Sequence, residues 1–234
     1  MYWDYYLMGI ILLPGLLLAL IAQIKVSTNF AKYKKVASKK GMTASQVARL
    51  ILDSASLNHV NVVKIDGELT DNYNPKTETI SLSSEVYDST SVAAIGIATH
   101  EVGHALQYAS NYKPIKVRMG LVTACNIASK FLWPLVLIGL ILNLGLNTVA
   151  GNICMWCGIV LFSLAVIFDL ITLPVEYNAS NRAKSILSNA EILDGEEMVG
   201  VNKVLNSAAL TYVAALIVSI LNLLRFVLIF RRND

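Results

Sequence analysis

Four long apolar segments constrain the fold of this chain more than any other feature. They cover residues 7–24, 131–146, 153–173 and 212–230, and the charged residues within them are Asp169 and Arg225. About 20 apolar residues in a helix span a bilayer, where a helix satisfies its own backbone hydrogen bonds. Charged residues make up only 15% of the chain, against about 25% in soluble proteins. The sequence therefore predicts a mainly α-helical, multi-pass integral protein of the plasma or inner membrane, with about four transmembrane helices and the lipid bilayer as a partner.

The lysines after the first apolar segment predict the orientation. Residues 25–40 contain six lysines and no acidic residue, and the positive-inside rule places such a stretch in the cytoplasm. Arg231 and Arg232 would then face outward, which goes against the same rule. Either the larger number of lysines determines the orientation, or the last helix lies partly in the membrane interface. The aromatic residues among positions 1–6 indicate an interface belt on a retained anchor, since a cleaved signal peptide begins with basic residues.

The polar regions predict a small domain of helices and strands. Residues 43–46 form a capping-box pattern ahead of a helix. Residues 60–65 are rich in β-branched side chains, which predicts a strand. Residues 79–83 alternate between polar and apolar side chains, which predicts one arm of a hairpin after the turn at 73–77. Residues 88–90 can cap the helix that follows, predicted over 91–110. No basic stripe with interleaved aromatic residues is present, so the sequence gives no indication of nucleic-acid binding.

Within that last helix, the run His100-Glu101-Val102-Gly103-His104 reads HExxH. Two imidazoles four residues apart lie on one helix face, so both can bind one metal ion. Glu101 projects towards the water on that metal, where a carboxylate can accept and return a proton. The pattern is short and occurs by chance, but apolar flanks favour a buried helix beneath a metal. The sequence predicts one Zn²⁺ per chain.

A third ligand is needed, because catalytic zinc usually takes three protein ligands. The chain has one other histidine, His59, whose place in a loop is typical of a surface residue. Glu176 is the better candidate, since an out-and-back helical hairpin returns it to the side of HExxH. Pro174 is placed to open or kink the helix that carries it. The alternative is an ordinary glutamate in the first turn of a helix.

The three cysteines give weaker signals. Cys154 and Cys157 have CxxC spacing, and Cys125 stands apart from them. A redox or metal role would call for a βαβ context that the sequence lacks. We interpret the pair as small side chains packed in a membrane helix.

Residues 100–107 (HEVGHALQ), the hairpin at 73–83 and the run Val175–Ala183 (VEYNASNRA) together resemble the YugP-like family of membrane zinc metallopeptidases, across most of the chain. That family is distantly similar to the HtpX-type and CAAX-processing gluzincins. The resemblance implies a zincin-like α+β domain, His100, His104 and Glu176 as zinc ligands, and Glu101 as general base. The implied division is an anchor at 1–24, the zincin-like domain at 25–129, a transmembrane hairpin at 130–173, a third-ligand helix at 174–208 and a last transmembrane helix at 209–234.

One position departs from the HtpX-type pattern. Ser180 stands where that pattern has an aspartate able to orient a ligating histidine, and a serine would do so only weakly. Asn178 and Asp169 are alternative partners, which the sequence does not rank.

The sequence also leaves open which residue stabilises the oxyanion and which strand binds the substrate. Tyr177, Arg182 and Tyr212 are candidates for the donor, although Tyr212 fits an interface-belt tyrosine better. By the same resemblance, a substrate peptide could add to an edge strand beside the metal helix, or the hairpin could be only structural. That candidate strand comprises Thr77, Glu78, Thr79, Ile80 and Ser81.

The leading hypothesis is a membrane-embedded zinc endopeptidase that cleaves peptides or proteins, including membrane proteins, with zinc-activated water and Glu101 as base. A zinc-binding scaffold or adaptor with little turnover is the alternative, which the intact Glu101 argues against. A transporter ranks last, since Asp169 and Arg225 are the only ionisable residues in the apolar segments and both lie near segment ends.

Overall fold

The structure is a computed structural model and describes residues 9–143 and 148–233. Seven helices and three strands follow one another in these residues. In chain order they are α1 (Leu13–Tyr33), α2 (Ala44–Ser54), β1 (Asn61–Ile65), β2 (Asn72–Asn74), β3 (Thr79–Ser83), α3 (Ser84–Tyr87), α4 (Val92–Ala109), α5 (Lys113–Asn143), α6 (Val149–Asn189) and α7 (Gly195–Asn233), with a further helical turn ahead of α1 at residues 9–10. The aromatic belt predicted at residues 1–6 lies outside the described residues.

Four of the helices, α1, α5, α6 and α7, are long and apolar enough to cross a membrane. Together with the small sheet they confirm the predicted mainly α-helical membrane protein with an α+β region. Three of them, α5, α6 and α7, extend well beyond the predicted apolar segments, because polar residues continue the helix outside the apolar run. Pro174 therefore lies inside α6 and does not open a new helix. A proline in a helix interior costs one backbone hydrogen bond, which membrane helices tolerate.

The residues group into two compact units, and the division falls within each of the four long helices. The first unit comprises residues 1–21, 114–173 and 211–234. Its core holds Val136, Met155, Phe162, Phe226 and Phe230. Small residues allow close helix packing: a Cβ on Gly139 would lie 3.0 Å from Cys154 Cβ. This is typical of membrane helices, where small side chains let backbones approach.

The second unit comprises residues 22–113 and 174–210. Its sheet has the order β1-β3-β2, with β3 parallel to β1 and antiparallel to β2. The core beneath the sheet is formed by fully buried residues from four elements, Leu52, Ile80, Leu82, Ile95 and Leu187. Burial of this kind contributes roughly 25 cal/mol per Å² of apolar surface, so the sheet and α2 are held against α4 by this core.

Helix starts in this unit follow their local sequence signals. The predicted capping box is confirmed: the Thr43 hydroxyl accepts from the Gln46 amide, and the Gln46 side chain accepts from the Thr43 amide. Helix α4 is capped one residue later than predicted. Ser91, not residues 88–90, accepts from the Ala94 amide, and Ser89 donates to the Ser91 hydroxyl.

The core predicts a contrast between two leucines of α2. Leu52→Ala should lower the free energy of unfolding by about 2–5 kcal/mol, because Leu52 is fully buried and truncation leaves a cavity. Leu50→Ala, at a position 48% exposed on the same helix, should change it by less than about 0.5 kcal/mol. Denaturant unfolding of both variants in detergent checks this, and equal losses would contradict the described packing of α2.

Candidate metal centre

Helix α4 brings His100 and His104 onto one face. The imidazoles lie one turn apart, with ring centroids 4.8 Å apart and planes at 84°. Ala94, Ile95, Ala98 and Val102 are buried in the same helix, so the apolar residues hold α4 in the core. The histidines consequently project from a fixed support.

Glu176 comes from α6 and is 2% exposed. Its Oε2 lies 3.3 Å from His100 Nε2 and 3.6 Å from His104 Nε2. One atom from each of the three side chains lies within 4.8 Å of the others. The structure thus brings together the three residues predicted as zinc ligands, although Glu176 lies 72 positions after His104 in sequence.

A glycine allows the two helices to come this close. A Cβ added to Gly103 would lie 2.6 Å from the backbone oxygen of Ala179 and 3.1 Å from its carbonyl carbon. Backbone atoms cannot rotate away as a side chain can. Since Gly103 lies next to His104 and Ala179 lies three residues after Glu176, any larger residue at position 103 would push the ligands apart.

The outward nitrogen of each histidine has a partner. Ser180 Oγ lies 3.1 Å from His100 Nδ1, and Gln107 Oε1 lies 2.9 Å from His104 Nδ1. The Gln107 amide nitrogen donates to Val175 O at 2.8 Å and to Asn178 Oδ1 at 3.1 Å. With its nitrogen committed to two acceptors, Gln107 presents its oxygen to His104, so His104 Nδ1 is the donor and Nε2 keeps a lone pair.

This set of atoms fits zinc. Two imidazole Nε2 atoms and a carboxylate oxygen converge, and a cation is what satisfies such a group of acceptors. Atoms at about 2.1 Å from a tetrahedral zinc lie about 3.4 Å apart, and the two measured nitrogen-to-oxygen distances are 3.3 and 3.6 Å. Outer partners on the Nδ1 atoms are also usual for zinc-ligating histidines.

Glu101 lies on the same helix and is 8% exposed. Burial raises the pKa of Glu101 above its ordinary value, and the neighbouring His100 and His104 act in the opposite direction. A raised pKa makes a carboxylate hold a proton more readily, which favours a group that both accepts and returns a proton. Glu101 follows His100 directly in sequence and interacts electrostatically with both histidines.

The remaining predicted site residues divide into two groups. Ser180 contacts His100, and Asn178 contacts Gln107 and accepts from Arg182 Nε at 2.8 Å. The other residues have different surroundings. Tyr177 is 43% exposed, and His59 is exposed with its Nε2 3.7 Å from Glu78 Oε1. Asp169, in the first unit, accepts a hydrogen bond from Ser219. Tyr212 also belongs to the first unit, and its role as oxyanion donor stays a prediction.

Sequence reasoning missed Gln107. The residue lies three positions after His104, on the same face of α4, and is fully buried. A polar residue at i+3 from a ligating histidine is the signal that could have indicated it.

The predicted substrate edge strand is wrong. Thr79, Ile80 and Ser81 belong to β3, which is paired on both sides, with Ile80 opposite Val62 of β1 and Tyr73 of β2. Thr77 and Glu78 lie in the turn before it. The prediction considered only the hairpin of β2 and β3, in which one edge of β3 is unpaired. In the structure, β1 pairs with that edge. Near α4 the edge strand is β2, whose Tyr73 ring lies 5.7 Å from that of Tyr108.

Four helices of membrane-spanning length, together with a possible metal site of His100, His104 and Glu176, define the class as membrane proteins with a candidate metal centre. The chain belongs to the family described as "Putative neutral zinc metallopeptidase", whose model matches residues 8–231. It is 47% identical over 209 residues to "Putative membrane protease YugP" of Bacillus subtilis (strain 168), covering 89% of this chain and 90% of that protein. No solved structure matches the chain. The family resemblance seen in the sequence is confirmed.

The close approach at Gly103 predicts a specific loss. Gly103→Ala should weaken zinc binding by at least about tenfold, because the added Cβ meets backbone atoms and shifts Glu176 away from the histidines. The measurement is zinc affinity of the purified protein by competition with a chelator. Gly195→Ala is the matched control, since nothing lies within 4 Å of its added Cβ. Unchanged zinc affinity in Gly103→Ala would contradict the described helix approach.

Proposed function

We propose that this protein is a membrane-embedded zinc-dependent endopeptidase with Glu101 as general base. The observation that carries the proposal is the convergence of His100 Nε2, His104 Nε2 and Glu176 Oε2, with Glu101 buried beside them. The family and the curated relative support a protease role. One Zn²⁺ per chain would be held by His100, His104 and Glu176.

When bound, zinc supplies Lewis-acid chemistry, polarising the scissile carbonyl and making a water molecule more acidic. Glu101 accepts a proton from that water as the water oxygen bonds to the carbonyl carbon. Glu101 then donates the same proton to the amide nitrogen as the carbon–nitrogen bond breaks, and the products are a carboxyl terminus and an amine. Burial of Glu101 keeps this proton within the site, because few solvent molecules reach the carboxylate.

The substrate is proposed to be an extended peptide that pairs with β2. An extended peptide can add to an exposed strand edge by main-chain hydrogen bonds. Strand β2 is an outer strand of the sheet, and it lies beside the helix that carries His100 and His104. Asn72 and Asn74 are exposed on either side of Tyr73, so this edge has polar side chains flanking one half-buried ring.

The rival function is a zinc-binding scaffold with little turnover. A scaffold needs the three ligands but has no use for a buried carboxylate next to them. Retention of Glu101 at 8% exposure, despite the cost of burying a charge, favours the peptidase.

Glu101→Gln separates the two functions. The variant should bind zinc as the wild type does, since Glu101 is not a proposed ligand, and should lose about 10²- to 10⁴-fold in cleavage rate. The measurement is release of fragments from a mixture of unfolded proteins by zinc-loaded protein in detergent, beside a chelator-treated sample. Glu68→Gln, at an exposed loop position, is the matched control. Zinc bound by both proteins with cleavage by neither would favour the scaffold.

We further propose that the second unit is cytoplasmic, because six lysines at residues 25–40 follow α1's apolar part. Lys76→Cys, in an exposed turn of a chain whose three native cysteines are replaced, should resist a membrane-impermeant thiol reagent in intact cells. It should react after the cells are permeabilised. Labelling in intact cells would place this unit outside.

A further inference from the structure

Gln107 is a polar side chain next to the proposed ligands that has no exposed surface. We infer that Gln107 is a positioning residue that orients His104 and fixes the position of α6 along α4. The inference rests on the proposed zinc site, but it concerns a residue that the ligand pattern does not contain.

The first step is the orientation of His104. Gln107 has one acceptor oxygen and two amide hydrogens, and both hydrogens are used, at Val175 O and Asn178 Oδ1. The oxygen, 2.9 Å from His104 Nδ1, can only accept. In the neutral ring the proton therefore lies on Nδ1 and the Nε2 lone pair faces Glu176, which is the tautomer that a metal ligand at Nε2 needs.

The second step is the position of α6. Val175 and Asn178 lie on either side of Glu176 in sequence, so one carboxamide on α4 contacts α6 both before and after the third ligand. A helix rises about 1.5 Å per residue, and a slide by one residue would break bonds of 2.8 and 3.1 Å. Gln107 thus aligns Glu176 with the histidines.

The third step is the support of Gln107 itself. Arg182 Nε donates to the same Asn178 Oδ1 that accepts from Gln107. Asn178 is therefore fixed by two donors from two helical positions, and the series His104–Gln107–Asn178–Arg182 runs outward from the site. Second-layer partners of this kind typically change metal affinity about 10- to 100-fold when removed.

His100 provides an internal comparison. Its outer partner is the Ser180 hydroxyl at 3.1 Å, which can donate or accept. That hydroxyl therefore does not select one tautomer of the His100 ring. Gln107 differs because its amide nitrogen is committed elsewhere, so the two histidines are held by different means.

Gln107→Met tests the inference in the purified full-length protein, because methionine keeps the volume and removes every hydrogen bond. Zinc affinity by chelator competition should fall about 10- to 100-fold. The visible spectrum of the Co²⁺-loaded variant at saturation should also differ from that of the wild type, which a loss of packing alone would not cause. Gln23→Met, at an exposed glutamine of α1, is the matched control and should match the wild type in both.

A second pair of variants keeps the test informative if Gln107→Met fails to fold. Asn178→Asp retains the acceptor oxygen for Gln107 and Arg182 and should bind zinc like the wild type, whereas Asn178→Leu should bind it more weakly. The inference would be overturned if Gln107→Met bound zinc with wild-type affinity and showed an unchanged Co²⁺ spectrum. If only Asn178→Leu folds, the same result in that variant would overturn it. Zinc binding without peptidase activity would overturn only the proposed reaction, and a wild type that binds no zinc would overturn both.

Discussion

The contact between Gly103 and the backbone of Ala179 is the constraint on which the metal centre depends. Two helices that carry ordinary side chains at their crossing lie about 8–10 Å apart. Here the absence of a Cβ removes the side chain from one helix, and a Cβ would lie 2.6 Å from a carbonyl oxygen of the other. The approach places a carboxylate from α6 beside two imidazoles from α4. The glycine of HExxH is thus a packing residue, whereas the histidines and the glutamate around it are the proposed metal ligands and the proposed base.

The close approach also explains why so many polar groups are buried at one place. Burying an imidazole, a carboxylate or a carboxamide costs free energy unless each group has a partner. Gln107, Asn178 and Ser180 supply those partners on the outer side of the histidines. The inner side is composed of acceptors, which a bound cation satisfies. Because metal binding to a folded site adds to the stability of the fold, the packing of α4 against α6 and the affinity for metal are expected to be linked.

The sequence predicted the features that depend on local patterns. From helix periodicity alone, HExxH predicted that His100 and His104 lie together, and the out-and-back hairpin predicted that Glu176 lies beside them; the structure places the three side chains together. The capping box at Thr43 was equally local. The wrong edge strand had a different cause: whether β3 is central depends on parallel pairing with β1, which is separated from it by β2 and two turns. The lengths of α5, α6 and α7 were underestimated because hydropathy detects where apolar residues begin and end, and a helix continues through polar residues.

Ser180 shows how a departure from a family pattern can be understood only in three dimensions. The sequence comparison suggested that a serine would orient a histidine weakly and offered Asn178 as an alternative. In the structure both residues contribute, but to different histidines: Ser180 contacts His100, and Asn178 acts on His104 through Gln107. The stronger, directional partner lies on the HExxH helix itself. A neutral hydroxyl is then sufficient at His100, because the alignment of the two helices is already fixed from the His104 side.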